Sequence, residues 1–314
     1  MPTRPILAVK VNRFTDTHVT KLDANNNVRE ERPAHWPYLC TPKIDGIRLW
    51  YNYNGYCTRT GKLLPNEHVH TVIADTIPAG FDGELLTFTN GEPDPFHTVQ
   101  SKLMSEDGEP EFKFCIFDYC PPGWDVVGYH IRVQHRDSLL GTLTQLSFLD
   151  TVPVRAIHSP FQLEQYEEEC LAAGFEGVCG RDPHSLYKSG RSTLTEQCLW
   201  KLKRFEDREA LIIGVEELQH NTNPATESEL GLLKRSKHLA GLTPGGKLGA
   251  LICKTLDTGI EFRIGTGFTA TQRAELWEQR ESLPSKLVTY KYQPHGTQSA
   301  PRIPIFRGIR YDLA

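Results

Sequence analysis

The part of the sequence from Arg204 onward restricts the possible folds more than any other part. Short apolar segments alternate there with polar or turn-forming residues, a pattern typical of β-strands. One helix stands among them, because Thr269 and Gln272 have the spacing of a capping box. The five strand-like segments are 210–215, 248–255, 260–264, 287–292 and 303–309. Such a set of strands with one helix favours a small, partly open β-barrel of the OB type.

The preceding residues mix the two kinds of secondary structure. Helices are expected at 132–145 and from Pro160, behind the N-cap residue Ser159, to Gly174. The polar residues 1–38 are expected to form a loop. The expected strands are 48–53, 56–59, 81–88, 112–119, 175–181 and 197–205. This mixture predicts an α+β fold, with domains at 1–203 and 204–314.

The composition is that of an intracellular globular protein, which we expect to be a monomer. Charged residues make up 24% of the 314 residues, and the net charge of −4 creates no global attraction to nucleic acid. The eight cysteines include no Cys-x-x-Cys pair, which argues against structural zinc and fits reduced thiols. Neither a signal peptide nor an apolar run of about 18 residues is visible, so we expect no membrane contact.

Residues 219–247 interrupt the expected barrel. This polar stretch contains Gly and Pro residues and is longer than an ordinary connection, which is typical of a functional loop. Its last part, 241–247, nearly matches the phosphate-binding P-loop pattern. Leu248, however, stands where a Ser or Thr would have to reach magnesium, so we interpret 241–247 as a flexible loop.

Residues 41–48 place one lysine, Lys43, among apolar neighbours. An unperturbed lysine has a pKa of about 10.4 and is a poor nucleophile at neutral pH. Because burial and neighbouring cations lower that pKa, we expect the Lys43 amine to be uncharged often enough to attack phosphorus or carbon. Gly46 would allow the backbone to approach a ligand, and the planar fork of Arg48 would bind a ribose or phosphate. On its own, this stretch is more typical of a turn.

Lys201 and Lys203 form a second candidate element. Alternate residues of a strand point to the same face, so these two ammonium groups would lie together. That arrangement is unfavourable unless an anion lies between or above them, and a phosphate chain is such an anion. The alternative is an exposed strand face.

Four further residues have ordinary explanations as well as functional ones. Glu84 belongs to the turn signal 82–84, and Glu176 follows the predicted helix end, yet their carboxylates are suitable oxygen ligands for a divalent cation. Phe117 ends an apolar strand and would either pack in the core or stack on a base. Arg59 follows a predicted hairpin, where an arginine is usually a solvated surface charge.

In their order along the chain, these motifs resemble the motif series of the covalent nucleotidyltransferases. That group contains ATP-dependent DNA ligases, RNA ligases and mRNA-capping guanylyltransferases. The chain is most similar to the compact chlorella-virus type of DNA ligase, and the similarity extends over nearly its whole length. Further segments that resemble this type are 174–178, 189–193, 264–268 and 301–306. The resemblance implies a nucleotidyltransferase domain at 1–203 and an OB-fold domain at 204–314, with 219–247 as a latch that clamps DNA.

The resemblance also implies a reaction and its participants. Lys43 would attack the α-phosphate of ATP and form lysyl-AMP, with Mg²⁺ or Mn²⁺ as metal cofactor. The AMP would pass to the 5′-phosphate of a nick in duplex DNA, and the 3′-hydroxyl would then displace it. The residues implied to bind the nucleotide are Lys43, Arg48, Arg59, Glu84, Phe117, Glu176, Lys201 and Lys203. Of these, Lys43, Arg59, Lys201 and Lys203 would be catalytic, and Glu84 and Glu176 would bind the metal.

A further set is implied to contact DNA, namely Arg59, Phe96, Arg191, Lys234, Arg235 and Lys237. The family usually ends its OB domain with a basic and acidic cluster that orients pyrophosphate. Here Arg310 and Asp312 would do part of that work, so we expect self-adenylylation to be slower than nick sealing by preloaded enzyme.

Two alternatives stay open at this point. One is an RNA ligase or a GTP-dependent mRNA-capping guanylyltransferase, which the barrel with its latch disfavours. The other is a catalytically inactive, OB-type nucleic-acid-binding protein, which the intact Lys43, Glu84 and Glu176 disfavour.

Overall fold

The structure is a computed structural model that describes residues 2, 4–23, 26–227, 233–236, 238–294 and 300–310. These residues fall into two compact units. The first is formed mainly by residues up to Lys203, and the second mainly by residues from Arg204 onward. Both units contain buried hydrophobic clusters of their own. Many strands with few helices confirm the expected α+β class.

The elements of the first unit are short and connected by many turns. Its strands are β1 (Ile6–Leu7), β2 (Val9–Val11), β3 (Arg13–Phe14), β4 (His18–Leu22), β5 (Val28–Pro33), β6 (Tyr38–Pro42), β7 (Ile47–Asn52), β8 (Gly55–Thr58), β9 (Phe81–Thr89), β10 (Glu92–Pro93), β11 (Glu111–Tyr119), β12 (Leu149–Thr151), β13 (Arg155–Ile157), β14 (Val178–Arg181), β15 (Gly190–Arg191) and β16 (Trp200–Leu202). Its helices are α1 (Glu67–Thr76), α2 (Phe96–Leu103), α3 (Tyr129–Thr142) and α4 (Pro160–Ala172).

One sheet of the first unit has the strand order β12-β11-β9-β7-β8, with β10 on β9. Helix α1 contributes Val69 and Ile73 to the core beside this sheet, both fully buried. Asn66 caps α1 by accepting a hydrogen bond from the Val69 N–H at 2.9 Å. Neither α1 nor α2 was predicted, although this cap and the four-residue apolar spacing are visible in the sequence.

The other large sheet has the order β13-β6-β14-β16-β2. Its edge strand β2 pairs in parallel with β16, which places Lys10 opposite Lys201. Strand β1 pairs in parallel with β15, so that Ile6 lies opposite Gly190. The expectation of a loop at 1–38 is therefore wrong. Strands β1 and β2 are too short to show a two-residue period, and their partners lie far away along the chain. Strands β3, β4 and β5 pair with one another within the same stretch.

Other local predictions are confirmed with shifted bounds. The β7–β8 hairpin forms as predicted, with its turn at Tyr53-Asn54, one residue before the expected Asn54-Gly55. Ser159 caps α4 by accepting from the Gln162 N–H. Helix α3 begins and ends three residues earlier than predicted. The predicted strands at 175–181 and 197–205 are confined to β14 and β16. In the part of the chain that is described, none of the helices has the length and hydrophobicity needed to span a lipid bilayer.

The second unit contains β17 (Glu206–Asn221), β18 (Ala225–Glu227), β19 (Leu233–Arg235), β20 (Leu242–Thr255), β21 (Glu261–Ile264), β22 (Leu287–Gln293), β23 (Arg302–Arg310) and α5 (Ala270–Glu278). Five of the strands form an antiparallel sheet in the order β21-β20-β17-β22-β23. Thr269 and Gln272 form the predicted capping box of α5. The interpretation of 241–247 as a flexible loop is wrong, because β17 and β20 extend beyond their predicted bounds and pair up to Asn221 and Leu242. Pairing with β17 determines where β20 begins, and the local composition of 241–247 does not reveal that partner.

Candidate active site

A cavity of about 180 Å³ in the first unit is lined by residues from both large sheets. Most of the residues predicted to bind a nucleotide meet there. The predicted residues in its lining are Lys43, Arg48, Arg59, Glu84, Phe117 and Lys201. The remaining two, Glu176 and Lys203, are paired with one another, and Glu176 also binds Lys43. The structure thus brings together all eight residues that were predicted to bind the nucleotide.

Strand register explains one wall of the cavity. Cys179 of β14 lies opposite Thr41 of β6 on one side and opposite Lys201 of β16 on the other. Residues in register across a sheet point to the same face, so Thr41, Cys179 and Lys201 all line the cavity. Arg181, two residues after Cys179, points to that face as well.

Lys43 and Glu176 are placed by paired backbone hydrogen bonds between their loops. The Lys43 N–H donates to the Gly177 carbonyl at 2.8 Å, and the Glu176 N–H donates to the Lys43 carbonyl at 3.0 Å. The Lys43 ammonium then donates to Oε2 of Glu176, and the Lys203 ammonium donates to Oε1 at 2.7 Å. Glu176 is almost fully buried, and 17% of the Lys43 side chain is exposed.

The glycines of these motifs allow close approach of backbones rather than of a ligand. A Cβ on Gly46 would collide with the carbonyl oxygen of Leu85. Gly177 has a φ of +147°, and a Cβ there would collide with the carbonyl oxygen of Leu202. The expectation that Gly46 makes room for a ligand is therefore corrected, since the space it leaves is filled by strand β9.

The protonation of Lys43 differs from the sequence-based expectation. Burial by itself lowers the pKa of the Lys43 ammonium, but the surrounding acidic groups, above all Glu176, together outweigh burial, and the net pKa lies above the ordinary lysine value. Burial raises the pKa of Glu176, whereas Lys43 and Lys203 lower it to a net value of about 2. The expectation of a partly uncharged Lys43 is therefore wrong for the protein without nucleotide, because the buried carboxylate holds the lysine protonated.

Among the three lysines of the site, Lys201 has a pKa below the ordinary lysine value. Burial lowers it first, and the positive charges of Lys43 and Lys203 lower it further. The three ammonium groups outnumber the two nearby carboxylates, Glu176 and Glu84, which leaves an excess of positive charge. An anionic group bound in the cavity would neutralise that excess.

At the other end of the site, Arg48 is held in a fixed orientation. Its Nε and Nη2 donate to the two carboxylate oxygens of Asp82 at 2.8 and 2.5 Å, and its Nη1 donates to the Ile6 carbonyl at 2.5 Å. Glu84 lies opposite Arg48 in the β7–β9 register. Burial raises the pKa of Glu84 to about 7, although Lys43 and Arg48 counteract the increase.

The aromatic ring of Phe117 lies between these charged groups. The Arg48 guanidinium carbon is 5.2 Å from the ring centroid, and that of Arg181 is 5.7 Å away. Both distances are within cation–π range. Phe117 also lines the cavity, so its ring is accessible to a planar ligand.

Sequence reasoning missed a buried ionic network behind Phe117. Asp118 is fully buried and accepts hydrogen bonds from Arg132, at 2.9 and 3.1 Å, and from Arg181. Burial raises the pKa of Asp118, but the two guanidinium groups hold the net value well below the ordinary one. The alternation of β14 would have placed Arg181 beside Cys179, but nothing local shows that Asp118 pairs with it. Tyr129, at the start of α3, was missed as well and also lines the cavity.

The residues predicted to contact DNA are more scattered. Arg59 is exposed at the cavity, whereas Phe96 is half-buried on α2 and packs against the core. Arg191 is exposed and donates to the Ala8 carbonyl at 2.9 Å. Arg235, in the second unit, is exposed and donates to the Asn223 carbonyl. The side chain of Lys234, and the residues Lys237 and Asp312, lie outside the described part of the chain.

The carboxylates fit a divalent cation only together with further oxygen ligands. Among the described residues, no cluster of three or more His, Cys, Asp and Glu side chains is arranged to bind a metal. Burial raises the pKa of Glu84 by more than Lys43 and Arg48 lower it, whereas lysines engage both oxygens of Glu176. Mg²⁺ commonly takes one or two carboxylates and completes its shell with water and substrate phosphates. The donor set fits that kind of site.

Comparisons with known proteins agree with this geometry. Residues 244–310 match the family model of the DNA ligase OB-like domain. A crystal structure of Chlorella virus DNA ligase-adenylate is 28% identical, covers 99% of this chain and 100% of its own, and has a TM-score of 0.54. A second crystal structure of Chlorella virus DNA ligase-adenylate is 29% identical over 99% of both chains, with a TM-score of 0.55. A Lig E DNA ligase has the same fold at 23% identity, over 87% of this chain and 92% of its own, with a TM-score of 0.60. The comparison with curated sequences gives no match.

The fold and the site therefore define a nucleotidyltransferase unit followed by an OB-like domain. Within that class, the resemblance of the motifs to the compact DNA ligases of the chlorella-virus type is confirmed.

Proposed function

We propose that this protein is an ATP-dependent DNA ligase that seals nicks in duplex DNA through a lysyl-AMP formed on Lys43. The observation that carries the proposal is the position of Lys43 at the wall of a cavity that also presents Phe117, Arg48 and Lys201. These groups match the parts of a nucleoside phosphate, namely a base, a ribose and a phosphate chain. The full-length similarity to DNA ligase-adenylate structures supports the same assignment.

The first chemical step forms one bond and breaks another at the α-phosphorus of ATP. The Lys43 amine loses its proton to solvent and attacks, so that an N–P bond forms and the bond to the pyrophosphate leaving group breaks. Because Lys43 is stored as an ion pair with Glu176, the pair must separate before the attack. Lys201 and Lys203 would neutralise charge on the α-phosphate, since phosphoryl transfer depends mainly on positioning and charge stabilisation.

The other cavity residues would orient the nucleotide. Phe117 would stack on adenine, which contributes about 1–3 kcal/mol in comparable sites. Arg48 and Glu84, adjacent across β7 and β9, would hold the ribose hydroxyls. Glu84 and Glu176 would hold Mg²⁺ or Mn²⁺ with the substrate phosphates. When bound, the cation would offset negative charge on the phosphates and near Lys43.

Nick sealing would use the same lysine as leaving group. In the second step an oxygen of the 5′-phosphate attacks the adenylate, the N–P bond breaks, and the Lys43 amine is released. In the third step the 3′-hydroxyl attacks the activated 5′-phosphate, the phosphodiester forms and AMP leaves. Arg59, exposed at the cavity, would bridge AMP and the 5′-phosphate.

We also propose how the chain divides and what it binds. Residues 1–203 would form the adenylation domain and residues 204–314 the OB domain, with 219–247 as the latch on DNA. Phe96, Arg191 and Arg235 would contact the duplex, together with Lys234 and Lys237. The protein would act as a monomer in DNA replication, repair or recombination, and its eight free cysteines support an intracellular location.

One experiment separates this proposal from its alternatives. The protein is incubated with α-labelled ATP or GTP, and nicked duplex DNA or nicked RNA is then added. We expect label on the protein from ATP and transfer to DNA, followed by sealing. Labelling by GTP would indicate a capping enzyme, and transfer only to RNA would indicate an RNA ligase. An unlabelled protein that still binds nicked DNA would indicate an inactive binding protein.

A further inference from the structure

Tyr187 lies outside the cavity lining but contacts Asp82, one of the two groups that hold Arg48. Its hydroxyl donates to Oδ2 of Asp82 at 2.5 Å, and this oxygen also accepts from Arg48. Its ring belongs to the same buried cluster as Ile6, whose carbonyl accepts from Arg48. Building on the proposed function, we propose that Tyr187 is a positioning residue for nucleotide binding, which orients Arg48 toward the ribose through Asp82.

The geometry of Arg48 makes its orientation depend on these anchors. Asp82 engages Nε and Nη2 in a bidentate pair, and Ile6 engages Nη1. A guanidinium has five N–H donors in a rigid plane. Once three nitrogens are engaged in this way, the two N–H groups left for a ligand lie in one plane, which the carboxylate of Asp82 fixes.

Tyr187 is itself rigidly placed. It is only 4% exposed, and its backbone N–H donates to the Asp125 carbonyl at 3.1 Å. The guanidinium of Arg132 lies 5.5 Å from its ring centroid. A hydroxyl on so constrained a ring can fix the carboxylate of Asp82, which is 2% exposed and has no solvent to reorient it.

Tyr56 provides a matched comparison that separates a purely structural role of a buried tyrosine from the positioning role proposed for Tyr187. Tyr56 also buries a hydroxyl, which donates to the Pro78 carbonyl at 2.6 Å, and it is 2% exposed. Its hydrogen bond goes to a backbone carbonyl and not to the carboxylate that holds Arg48. Tyr56→Phe and Tyr187→Phe therefore remove the same atom from similarly buried sites, and only the second change removes a hydrogen bond to Asp82.

The test measures adenylylation of full-length wild type, Tyr187→Phe and Tyr56→Phe with ATP, 2′-deoxy-ATP and 3′-deoxy-ATP. We expect Tyr187→Phe to raise the KM for ATP by roughly three- to tenfold, with a smaller change in kcat. We also expect it to reduce the preference for ATP over whichever deoxy analogue lacks the hydroxyl that Arg48 binds. Tyr56→Phe should retain the wild-type KM and preference even where its melting temperature falls.

Asp82→Asn is a second variant, which changes the carboxylate that both Tyr187 and Arg48 contact. Asp82→Asn should reproduce the altered analogue preference, and combining it with Tyr187→Phe should add little, because both changes act through one contact. If Tyr187→Phe matches Tyr56→Phe in KM and preference, or if its effect adds fully to that of Asp82→Asn, the positioning role is wrong. Failure of the proposed function gives a different result, since wild type itself would then form no adduct.

Discussion

The ammonium group of Lys43 donates a hydrogen bond to the carboxylate of Glu176, whose other oxygen accepts one from Lys203 at 2.7 Å. In the absence of nucleotide, the proposed nucleophile is therefore one half of a buried ion pair. Its pKa lies above the ordinary value because Glu176 and the neighbouring acidic groups together outweigh the burial that would lower it. Activation would then require that this pair be loosened when substrate and cation bind.

Replacement of Glu176 by glutamine tests this relationship in the protein alone. Without the carboxylate, burial and the nearby cations dominate, so the pKa of Lys43 should fall. The measurement is the pH dependence of labelling of Lys43 by an amine-reactive reagent, followed by mass spectrometry in the absence of nucleotide and metal. Glu196→Gln is the matched control, because Glu196 pairs with the partly exposed Lys188 at 2.6 Å. A labelling curve of Lys43 that does not move to lower pH would contradict the assigned cause.

The raised pKa of Glu84 predicts how stability depends on pH. The folded protein holds a proton on Glu84 up to about pH 7, whereas the unfolded chain releases it near the ordinary value of 4.5. The folded state binds more protons in that window, so this group makes the free energy of unfolding fall as pH rises from 4.5 to 7. Glu84→Gln should remove that contribution, which urea denaturation at several pH values would detect. An unchanged slope would show that Glu84 is not perturbed in the folded protein.

Phe117 should contribute to nucleotide affinity through its ring. Phe117→Ala is expected to weaken ATP binding by about 1–3 kcal/mol, the range of base–aromatic stacking, and Phe117→Trp should retain most of the affinity. Isothermal titration measures both. Phe161→Ala, at an exposed position of α4, is the control and should bind ATP like wild type. Equal affinities for Phe117→Ala and wild type would remove Phe117 from the proposed base site.

The network around Asp118 predicts a large effect on stability. Asp118→Asn would leave Arg132 and Arg181 buried without their counter-charge, and removal of one partner from such a pair typically destabilises by about 3–5 kcal/mol. The same change at Asp150, in a half-exposed pair with Lys113 at 4.0 Å, should alter stability by less than about 1 kcal/mol. Urea unfolding of both variants provides the comparison. Similar losses in the two would mean that the Asp118 network does not stabilise the first unit.

The sequence allowed prediction of the features that local residues determine. Lys43, Glu84 and Phe117 belong to short motifs whose order resembles that of the covalent nucleotidyltransferases. The structure places all three residues at one cavity. The capping residues Ser159 and Thr269 were also predicted, because an N-cap acts on backbone N–H groups only a few residues away.

Features that depend on distant partners were not predicted. Strands β1 and β2 consist of two and three residues, and they form because β15 and β16 offer them hydrogen bonds. Strand β20 likewise begins in a Gly- and Pro-containing stretch because β17 extends beside it. The raised pKa of Lys43 was missed for the same reason, since Glu176 becomes its neighbour only in the folded chain.

The most direct test of the account is the site of AMP attachment. Wild-type protein is incubated with ATP and Mg²⁺, digested and mapped by mass spectrometry, beside a Lys43→Arg variant that keeps the positive charge. We predict one AMP on the peptide that contains Lys43, its release by added pyrophosphate, and no adduct in Lys43→Arg. An AMP attached to another residue, or an adduct of equal yield in Lys43→Arg, would contradict the account.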